Sequence, residues 1–442
     1  MIKLPEQVNK AICLLKNSGF EAYAVGGAVR DCLLGKVPFD WDITTSARPE
    51  ETEKVFCGER IIETGIKHGT VTVIIDGMPL EITTYRIDGD YTDHRHPQTV
   101  SFSDNLRDDL SRRDFTINTL CCNCDDKIID AFGGKDDLKN KIIRCVGDPD
   151  TRFSEDALRI MRAVRFSAEL GFKIEKNTSD SILKNRQLLS DVSKERLQVE
   201  FTKLITGKYA TDVIRKYHAV IEVFIPELAP LAECEQHTKY HKYDVFEHTL
   251  HAVDAIDFND RILRLTMFFH DFGKPDAKTT DENGTSHFKG HAVISEKKTR
   301  DILKRLKFDN NTINEVSKLV LIHDMKSPRD KIQAKKMMCS LGDETYLNLI
   351  KIKRADNMAK ADPHAIDEKL KNMRSFYEEI KINNECYNLK SLAVNGDDIK
   401  AFGIAEGKEI KSSLDFLLNG VIEGKCQNRK DVLLEYPKEN TK

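Results

Sequence analysis

Apolar and polar positions follow two different patterns along the 442 residues of this chain. Short runs such as TVTVIIDG and LEITTYRI, in which apolar and polar residues alternate, are confined to residues 1–145 and predict β-strands between helical stretches. From residue 150 to residue 430, apolar residues recur at spacings of three and four, which predicts helices almost throughout. The pattern therefore predicts an α+β fold class, in which a head with a mixed β-sheet is followed by an all-α remainder.

Composition subdivides the helical part. Histidines are concentrated between Tyr240 and His323, whereas the flanking segments are charged and contain many leucines. A chain of this length exceeds one ordinary hydrophobic core, so several domains are expected. We predict a catalytic head over residues 1–145, a helical neck over 146–225, a helical body over 226–370 and a helical tail over 371–442.

Hydrophobic residues make up 40% and charged residues 32% of the chain, as in ordinary globular proteins. No apolar run approaches the roughly 20 residues that would cross a bilayer, and the N-terminus lacks a signal-peptide core, so we expect a cytoplasmic protein without a membrane partner. The 11 cysteines are scattered, which predicts reduced thiols. The CxxC spacing in LCCNC lacks a second pair or a nearby histidine, and we interpret Cys121, Cys122 and Cys124 as packing residues.

The net charge of −3 is unevenly distributed. Residues 151–220 contain 14 Lys or Arg against 9 Asp or Glu. Because neutralisation of phosphates dominates the affinity of proteins for RNA, this local excess of positive charge indicates a nucleic-acid surface on the neck.

Three acidic residues in the head form a candidate metal platform. In FDWDITT, Asp40 and Asp42 flank Trp41 in a predicted strand, so their carboxylates project from the same face. Their mutual repulsion predicts a divalent cation, and Mg²⁺ prefers carboxylate and phosphate oxygens. Glu81 in LEITTYR lies between apolar neighbours on another predicted strand and is the candidate third carboxylate.

A phosphate site is predicted just before these acids. The segment YAVGGAVRDCLLG has a β-like run before Gly26 and Gly27 and a helix with Arg30 after them. Such an arrangement can bring backbone N–H groups and a cation to phosphate oxygens.

The succession of GG-x-x-R-D, D-x-D and a later glutamate between apolar residues resembles the DNA polymerase beta nucleotidyltransferase superfamily, in which two metal ions align a 3′-hydroxyl with an α-phosphate. The segments TYRIDGDYTDHRHPQTVSF, SRRDFTIN, FSEDALRIMRAVRF and KERLQVEF then resemble the class II tRNA nucleotidyltransferases and poly(A) polymerases, in the same order, over roughly the first 200 residues. The resemblance implies an enzyme that adds CCA to tRNA, with Mg²⁺ as cofactor and tRNA, ATP and CTP as partners. The nucleotide-binding residues that it implies are Gly26, Gly27, Arg30, Arg113, Asp114, Asn118, Asp156, Arg159, Arg162 and Arg165.

Within this family, cytosine and adenine are to be accepted while uracil and guanine are refused. The accepted bases present an amino donor beside an unprotonated ring nitrogen, and the refused bases present the opposite polarity. Asp156 and Arg159 are three positions apart in a predicted helix, so a carboxylate and a guanidinium could together read this pattern. The loop from Asp88 to Phe102 resembles the family's flexible loop used in changing from C to A addition.

A second constellation lies in the predicted body. The segments KYHKYDVFEHTLHAV, LTMFFHDFGKP, HFKGH, LIHDM and KRADNMAK follow the order of the HD phosphohydrolase superfamily and contain His248, His270, Asp271, His291, His323 and Asp356. Mixed nitrogen and oxygen donors suit a divalent transition metal, which could activate water. We predict a metal site of His248, His270, Asp271 and Asp356, and the residues leave open whether it hydrolyses a substrate or whether this domain is a scaffold for tRNA.

Other functions remain open from sequence alone. The motifs fit an A-adding half-enzyme and a poly(A) polymerase as well as complete CCA addition, and nucleotide preference would distinguish them. A phosphohydrolase that acts on RNA ends and uses the head for targeting is a further alternative. A non-catalytic RNA-binding factor would be expected to lack the metal carboxylates, whereas Asp40 and Asp42 are both present.

Overall fold

The computed structural model describes residues 2–66, 69–89, 99–238, 240–401 and 407–439. The chain divides into two compact units, Met1–Ala229 and Pro230–Lys442. Among its described residues, the first unit contains a large β-sheet followed by helices, and the second is helical apart from a short β-hairpin.

The sheet of the first unit has the strand order β3-β4-β5-β2-β1-β8-β9. Neighbouring strands are antiparallel except for β2 and β5, which are parallel, so the sheet is mixed. Its strands are β1 (Ala22–Val25), β2 (Asp42–Thr45), β3 (Arg60–Gly65), β4 (Thr70–Ile75), β5 (Met78–Thr84), β8 (Cys121–Cys122) and β9 (Ile128–Ile129). Two smaller ladders pair β6 (Arg86–Asp88) with β7 (Val100–Phe102) and β10 (Ile142–Ile143) with β11 (Lys173–Ile174).

The alternation of apolar residues explains how β4 and β5 are placed. Val71, Val73 and Ile75 are buried, whereas the residues between them are partly exposed on the other face. Asp76 and Gly77 join the two strands with φ angles of 47° and 81°. Two positive φ angles are what a two-residue hairpin turn of type I′ requires, and Asp-Gly is a sequence that favours it.

Helices of the first unit cover the sheet and then pack on one another. Those of the head are α1 (Glu6–Asn17), α2 (Gly27–Leu33), α3 (Pro49–Val55), α4 (Leu106–Ser111) and α5 (Gly134–Asn140), with a 3₁₀ turn at Thr116–Asn118. The helices that follow are α6 (Pro149–Glu155), α7 (Leu158–Leu170), α8 (Lys176–Asn185), α9 (Lys194–Ile205), α10 (Ala210–Ile221) and α11 (Ala229–Ala232). The first residue of α11 is the last residue of the first unit. Two 3₁₀ segments lie at Arg186–Asp191 and Pro226–Leu228. The mostly buried α7 packs against both α9 and α10.

The second unit is built mainly from longer helices. The helices of this unit are α12 (Val245–Asp254), α13 (Arg261–Phe269), α14 (Lys274–Ala277), α15 (His291–Arg305), α16 (Asn310–Ile322), α17 (Lys331–Leu341), α18 (Asp343–Met358), α19 (Asp367–Ile382), α20 (Gly396–Ala401), α21 (Lys408–Ile422) and α22 (Lys430–Glu439). A hairpin of β12 (Thr279–Thr280) and β13 (Ser286–His287) precedes α15, and a 3₁₀ turn occupies Leu389–Ser391. The helices α12, α13, α16 and α18 pack together around the buried histidines.

The predicted α+β class with a mixed sheet in the head is confirmed. The strand β11 and the ladder β12–β13 lie in the part that the sequence predicted to be almost wholly helical, because two-residue strands are too short to give a periodic signal. Each of the eleven cysteines is a free thiol. None of the helices in the described ranges has the length and apolar character of a membrane span. The finer division at residues 145, 225 and 370 stays a prediction.

Candidate active site

Two of the three predicted acids are direct neighbours in the sheet. Asp42 on β2 is the register partner of Glu81 on the parallel strand β5. Both side chains are exposed, and the residues that follow them, Ile43 and Ile82, are buried on the opposite face. The sheet therefore presents two carboxylates side by side on its open face.

Asp40 lies outside the strand in which it was predicted. The strand β2 begins at Asp42, so Asp40 belongs to the preceding segment, which contains Pro38 and the fully exposed Phe39. Proline cannot donate to a strand ladder, which favours an irregular lead-in. Trp41 is buried between the exposed Asp40 and Asp42, so the predicted alternation of faces is confirmed although the strand is shorter.

The environment of Asp42 shows that the carboxylates interact. Surrounding protein removes water from much of the carboxylate and raises its pKa to about 6, although the residue keeps an exposed edge. Arg113 opposes this shift, while Glu81 and Asp40 add to it through like-charge repulsion. A divalent cation would relieve that repulsion, so these donors fit Mg²⁺ chemically.

The head carboxylates form an open platform rather than a closed cage. Within the described ranges, sets of three ligand atoms within 4.8 Å of one another occur in the second unit and not around Asp42. A cation in the head would need ligands besides these side chains, and substrate phosphates are the usual additional ligands of Mg²⁺.

Gly26 brings the backbone close to these charges. It caps the N-terminus of α2 with φ 82° and ψ −138°, a conformation that side chains rarely tolerate. A Cβ at this position would lie 3.4 Å from Arg113 Nη1 and 3.8 Å from Asp42 Oδ2. The turn at Gly26 therefore lies close to both the guanidinium of Arg113 and the carboxylate of Asp42. Gly27 is the first residue of α2.

Arg113 is held by a residue that the sequence did not reveal. Asp109 is completely buried; Arg112 donates to its Oδ1 over 2.9 and 2.6 Å, and Arg113 donates to its Oδ2 over 3.2 Å. Thr44 Oγ1 on β2 also donates to Oδ2 over 2.9 Å. Burial opposes ionisation, but the two arginines keep the pKa of Asp109 below its usual value. The carboxylate thus ties α4 to the strand that carries Asp42.

Four predicted nucleotide-binding residues form one hydrogen-bonded chain. Arg30 Nη1 donates to Asn118 Oδ1 over 2.8 Å, and Asn118 Nδ2 donates to Asp114 Oδ1 over 3.0 Å. Arg162 Nε donates to Asp114 Oδ2 over 2.8 Å. Burial opposes ionisation of Asp114, yet Arg162 and Asn118 overcome this and hold its pKa at about 2. Arg30 also pairs with Asp31, so its charge is already partly neutralised inside the protein.

Phe166 on α7 packs against several of these cations. The guanidinium carbons of Arg30, Arg162 and Arg165 lie 4.9, 5.3 and 3.9 Å from the centre of its ring. Arg165 is buried and lies 2.7 Å from Glu200 and 3.0 Å from Glu169. These contacts give Arg165 an internal structural environment, whereas its role in binding phosphate stays a prediction.

The placement of Asp156 and Arg159 on one helix was wrong. Asp156 follows the end of α6 with an extended backbone, and Arg159 lies inside α7. Leu158 N donates to Asp156 Oδ1 over 3.1 Å, which is the side-chain turn by which aspartate starts a new helix. Asp156 also pairs with Arg196 at 2.9 Å, a partner on α9.

Arg159 is fixed by contacts of its own. Its Nη1 donates to Glu155 Oε2 over 2.7 Å and to the carbonyl of Arg152 over 3.1 Å, and its Nη2 donates to the carbonyl of Arg112 over 2.8 Å. These contacts use three of the five N–H donors of a guanidinium. The side chain is therefore held rigidly and still has donors that these contacts do not use.

The central part of the predicted flexible loop, residues 90–98, lies outside the described residues. Its two ends form the ladder in which Asp88 on β6 pairs with Val100 on β7.

In the second unit, the four predicted metal ligands converge. His248 Nε2 lies 3.0 Å from Asp356 Oδ1 and 3.3 Å from Asp271 Oδ2, and His270 Nε2 lies 3.1 Å from Asp271 Oδ2. Both histidines and Asp271 are buried. Burial lowers the pKa of His248, which keeps its imidazole neutral and able to bind a metal. His291 and His323, which the sequence pattern named without assigning them to the metal, join the same cluster beside Asp271.

Comparison with known proteins gives matches along the whole chain. Family models match residues 22–144 as the poly A polymerase head domain, residues 171–231 as an RNA and SrmB-binding site of polymerase A and residues 279–436 as tRNA nucleotidyltransferase domain 2. The CCA-adding enzyme of Lactobacillus helveticus is 33% identical over 440 residues, which covers 98% of each chain.

Solved structures agree with these matches. The CCA-adding enzyme of Bacillus stearothermophilus in complex with CTP is 30% identical, superposes with a TM-score of 0.72 and covers 98% of this chain and 96% of its own. The Thermotoga maritima enzyme complexed with tRNA shares the fold, with a TM-score of 0.63 at 20% identity over 98% of this chain and 95% of its own.

Proposed function

The chain belongs to the family of CCA-adding enzymes, and from this membership we propose that it adds C, C and A to the 3′ end of tRNA from CTP and ATP. The observation that carries the proposal is the pairing of Asp42 with Glu81 on the open sheet face, beside Gly26 and Arg113. A tRNA substrate implies action in the cytoplasm.

The reaction follows from this arrangement. The tRNA 3′-oxygen attacks the α-phosphorus of the nucleotide, the bond to pyrophosphate breaks, and the hydroxyl proton passes to solvent. Mg²⁺, when bound, neutralises phosphate charge and favours ionisation of the hydroxyl. Asp40, Asp42 and Glu81 would hold the cation, and Gly26 and Gly27 let the triphosphate approach the backbone. Arg113 and Asp114 would contact the ribose, and no protein nucleophile is needed.

Substitution of Asp42 tests this proposal. We expect Asp42→Asn to lower incorporation of labelled CTP and ATP into tRNA that lacks CCA by at least about a thousandfold, because loss of one charge removes a metal ligand. Asp104→Asn is the matched control, since that carboxylate is exposed and pairs with Arg48 at the surface. Retention of substantial activity in Asp42→Asn would contradict the assignment.

We infer that Asp156 and Arg159 read the base. The carboxylate can accept from the amino group shared by cytosine and adenine, and the donors of Arg159 left over from its internal contacts can reach the ring nitrogen. Ion pairs hold both side chains, because Asp156 pairs with Arg196 and Arg159 pairs with Glu155. The two side chains can therefore act as a rigid template for the base. Discrimination arises because uracil and guanine would face groups of like polarity.

The expected consequence is a change in nucleotide preference. Asp156→Asn, which replaces an acceptor by a group that also donates, should raise incorporation of UTP relative to CTP. Asp212→Asn is the control, because Asp212 is exposed on α10 of the same unit. If Asp156→Asn still incorporates nucleotides and the ratio of UTP to CTP incorporation is unchanged, Asp156 does not select the base.

The products of the wild-type enzyme separate the related activities. Stepwise gain of three nucleotides, with UTP and GTP refused, supports complete CCA addition. Addition of a single A only after CC would identify an A-adding half-enzyme, and long A tails would identify a poly(A) polymerase.

A second candidate function rests on the buried set of His248, His270, Asp271 and Asp356. We propose that this set holds a divalent transition metal and supports hydrolysis of phosphate esters at RNA ends, with water attacking phosphorus and the ester oxygen leaving with a proton. Incubation with RNA ending in a 2′,3′-cyclic or terminal phosphate tests it. Opening of the cyclic phosphate to a monoester, or release of phosphate from the terminal phosphate, that is absent in His270→Ala and retained in Asp42→Asn would support the proposal, and neither reaction with any divalent metal would refute it.

A further inference from the structure

Two thiols meet in the first unit, one on α1 and one in the connection between β8 and β9. Cys13 lies inside α1, and Cys124 follows β8. Lys16 is one helical turn after Cys13, and its Nζ donates to Cys124 Sγ over 3.7 Å, so this side of α1 faces Cys124. The thiol of Cys13 donates to the sulfur of Cys124 and to Asn9 Oδ1, the latter over 3.4 Å. The two sulfurs are therefore in hydrogen-bond contact although they are far apart in the sequence.

These two thiols differ from the buried cysteines of the same unit. Cys13 and Cys124 are partly exposed, whereas Cys121, Cys122 and Cys145 are buried. Burial raises the pKa of Cys121 and Cys145 to about 12 and the pKa of Cys122 to about 11, so these three groups stay protonated near neutral pH. The thiolate is the form that reacts with oxidants, so the three buried thiols are expected to react slowly. Cys124 is the accessible thiol of the LCCNC segment.

The charges around the pair give its two sulfurs different roles. The ammonium group of Lys16 lies 3.7 Å from Cys124 Sγ and 3.6 Å from Asp125 Oδ2, so it can stabilise a negative charge on Cys124. Burial and the hydrogen bond to Cys124 raise the pKa of Cys13, so this thiol keeps its proton. Cys124 is therefore placed to react first with an oxidant, and Cys13 is placed to react with the product.

We propose that Cys13 and Cys124 form a reversible disulfide when the protein meets hydrogen peroxide. The Cys124 thiolate attacks one peroxide oxygen, an S–O bond forms as the O–O bond breaks, and the departing hydroxide takes up a proton to give water. The Cys13 sulfur then attacks Cys124 Sγ, the S–O bond breaks, and the hydroxyl group leaves as water with the Cys13 proton. Two thiols and one peroxide thus give one disulfide and two waters.

The disulfide ties together the parts of the head that carry the candidate active site. The strand β8 pairs with β1, which leads directly into Gly26, and Gly26 N donates to the carbonyl of Leu120 over 3.4 Å. The chain of about 110 residues between the two cysteines includes Asp42 and Glu81. A cross-link that closes so long a loop removes much of the conformational freedom of the unfolded chain. Oxidation therefore stabilises the head, and it also protects Cys124 from the irreversible sulfinic and sulfonic acids.

Peptide mapping measures the bond directly. The full-length protein is reduced, freed of reductant, treated with hydrogen peroxide, blocked with N-ethylmaleimide and digested with trypsin under non-reducing conditions. Mass spectrometry should show the peptide AICLLK joined to DFTINTLCCNCDDK, and dithiothreitol should separate them. The second peptide contains Cys121, Cys122 and Cys124, so variants identify the sulfur. Cys124→Ser should abolish the linked pair, and the matched control Cys122→Ser should keep it at the wild-type level.

Single variants separate the roles of the two sulfurs. In Cys13→Ser, Cys124 should accumulate as a sulfenic acid that dimedone labels, whereas in Cys124→Ser, Cys13 should stay unlabelled. Lys16→Gln should slow disulfide formation about tenfold, because it removes the ammonium group beside the nucleophile. Lys54→Gln removes an exposed lysine on α3 of the same unit and should leave the rate unchanged. An unchanged rate in Lys16→Gln would overturn the part assigned to this lysine.

Urea unfolding followed by the fluorescence of Trp41 measures the effect on the head. The equilibrium constant for unfolding should be about a thousandfold smaller in the oxidised than in the reduced wild type, and it should not change on oxidation of Cys13→Ser. Reduced Cys13→Ser should unfold like the reduced wild type, which checks its fold, and Cys13→Ala replaces it if it does not.

The outcomes distinguish the parts of the proposal. Absence of the linked peptides in the oxidised wild type, or their persistence in Cys124→Ser, would overturn the disulfide. Equal unfolding constants for the oxidised and reduced wild type would overturn the stabilising effect. Because the disulfide uses neither the carboxylates of the head nor the histidine cluster, these outcomes are independent of the proposed nucleotide transfer.

Discussion

Substitution of Asp109 tests whether the head site depends on a residue that contacts no substrate. Its buried carboxylate accepts from Arg112, Arg113 and Thr44, and Asp109→Asn keeps the shape while removing the charge. Charge-assisted hydrogen bonds contribute about 1.5–3 kcal/mol each, and removing one partner of a buried ion pair costs about 3–5 kcal/mol. Because asparagine still offers one accepting oxygen, we expect the free energy of unfolding to fall by about 3 kcal/mol.

The same substitution should slow the reaction. Arg113 lies beside Gly26 and Asp42, so release of its guanidinium from Asp109 changes both the position and the charge of the site. A misplacement of about 1 Å in an active site can cost about a hundredfold in rate, and we expect a loss of that order in kcat/KM for CTP.

Trp41 provides the assay for stability. It is the single tryptophan of the chain and is buried in the first unit, so its fluorescence during urea unfolding reports that unit alone. Asp104→Asn makes the same chemical change at an exposed carboxylate and should alter stability by less than about 0.5 kcal/mol. A loss below about 1 kcal/mol in Asp109→Asn, with kcat/KM unchanged, would refute this reasoning.

Three further outcomes are expected. Gly26→Ala should destabilise the positive-φ turn by about 1–3 kcal/mol and raise KM for CTP, measured by steady-state kinetics; an unchanged KM would argue against triphosphate binding at this turn. The pKa of Asp114 is about 2 in the folded protein and near 4 when unfolded, so its contribution of about 2 kcal/mol is present above pH 4 and lost as pH falls through 2. The stability difference between wild type and Asp114→Asn should therefore shrink from pH 5 to pH 2, and a constant difference would contradict this linkage. Glu200→Gln should lower stability by about 2 kcal/mol, since it leaves the buried Arg165 with Glu169 as its remaining carboxylate, and urea unfolding at Trp41 would detect it.

Local periodicity was sufficient to predict that Asp40 and Asp42 lie on one side of the chain and Trp41 on the other. The alternation around Trp41 places Asp40 and Asp42 on the exposed side, as the sequence predicted. The neighbour relation between Asp42 and Glu81 could not be read from the sequence, because it depends on parallel pairing between strands separated by a helix and a hairpin. Long-range register has no local signal.

One omission and one error have related causes. Asp109 lies in LRDDLS, a charged segment that looks like a solvated helix, and its buried partner Thr44 is 65 positions away. Asp156 fits the spacing of a continuous helix, but its side chain bonds to the backbone and interrupts it. In both cases a polar side chain forms hydrogen bonds to backbone or buried groups. The spacing of residues in the sequence does not show such hydrogen bonds. The histidine order, in contrast, did predict a cluster, although the position of Asp271 beside all four histidines required coordinates.

The direct pairing of β2 with β5 has a consequence for how this enzyme family can vary. The chain between Asp42 and Glu81 leaves the middle of the sheet, forms α3 and returns through the β3–β4 hairpin at the edge. Insertions or deletions at that edge would lengthen or shorten a surface excursion without moving one acid relative to the other, because the backbone ladder fixes their register. The number of residues between the two acids is thus free to drift, and searches for distant relatives that assume a constant interval would miss members with an intact site.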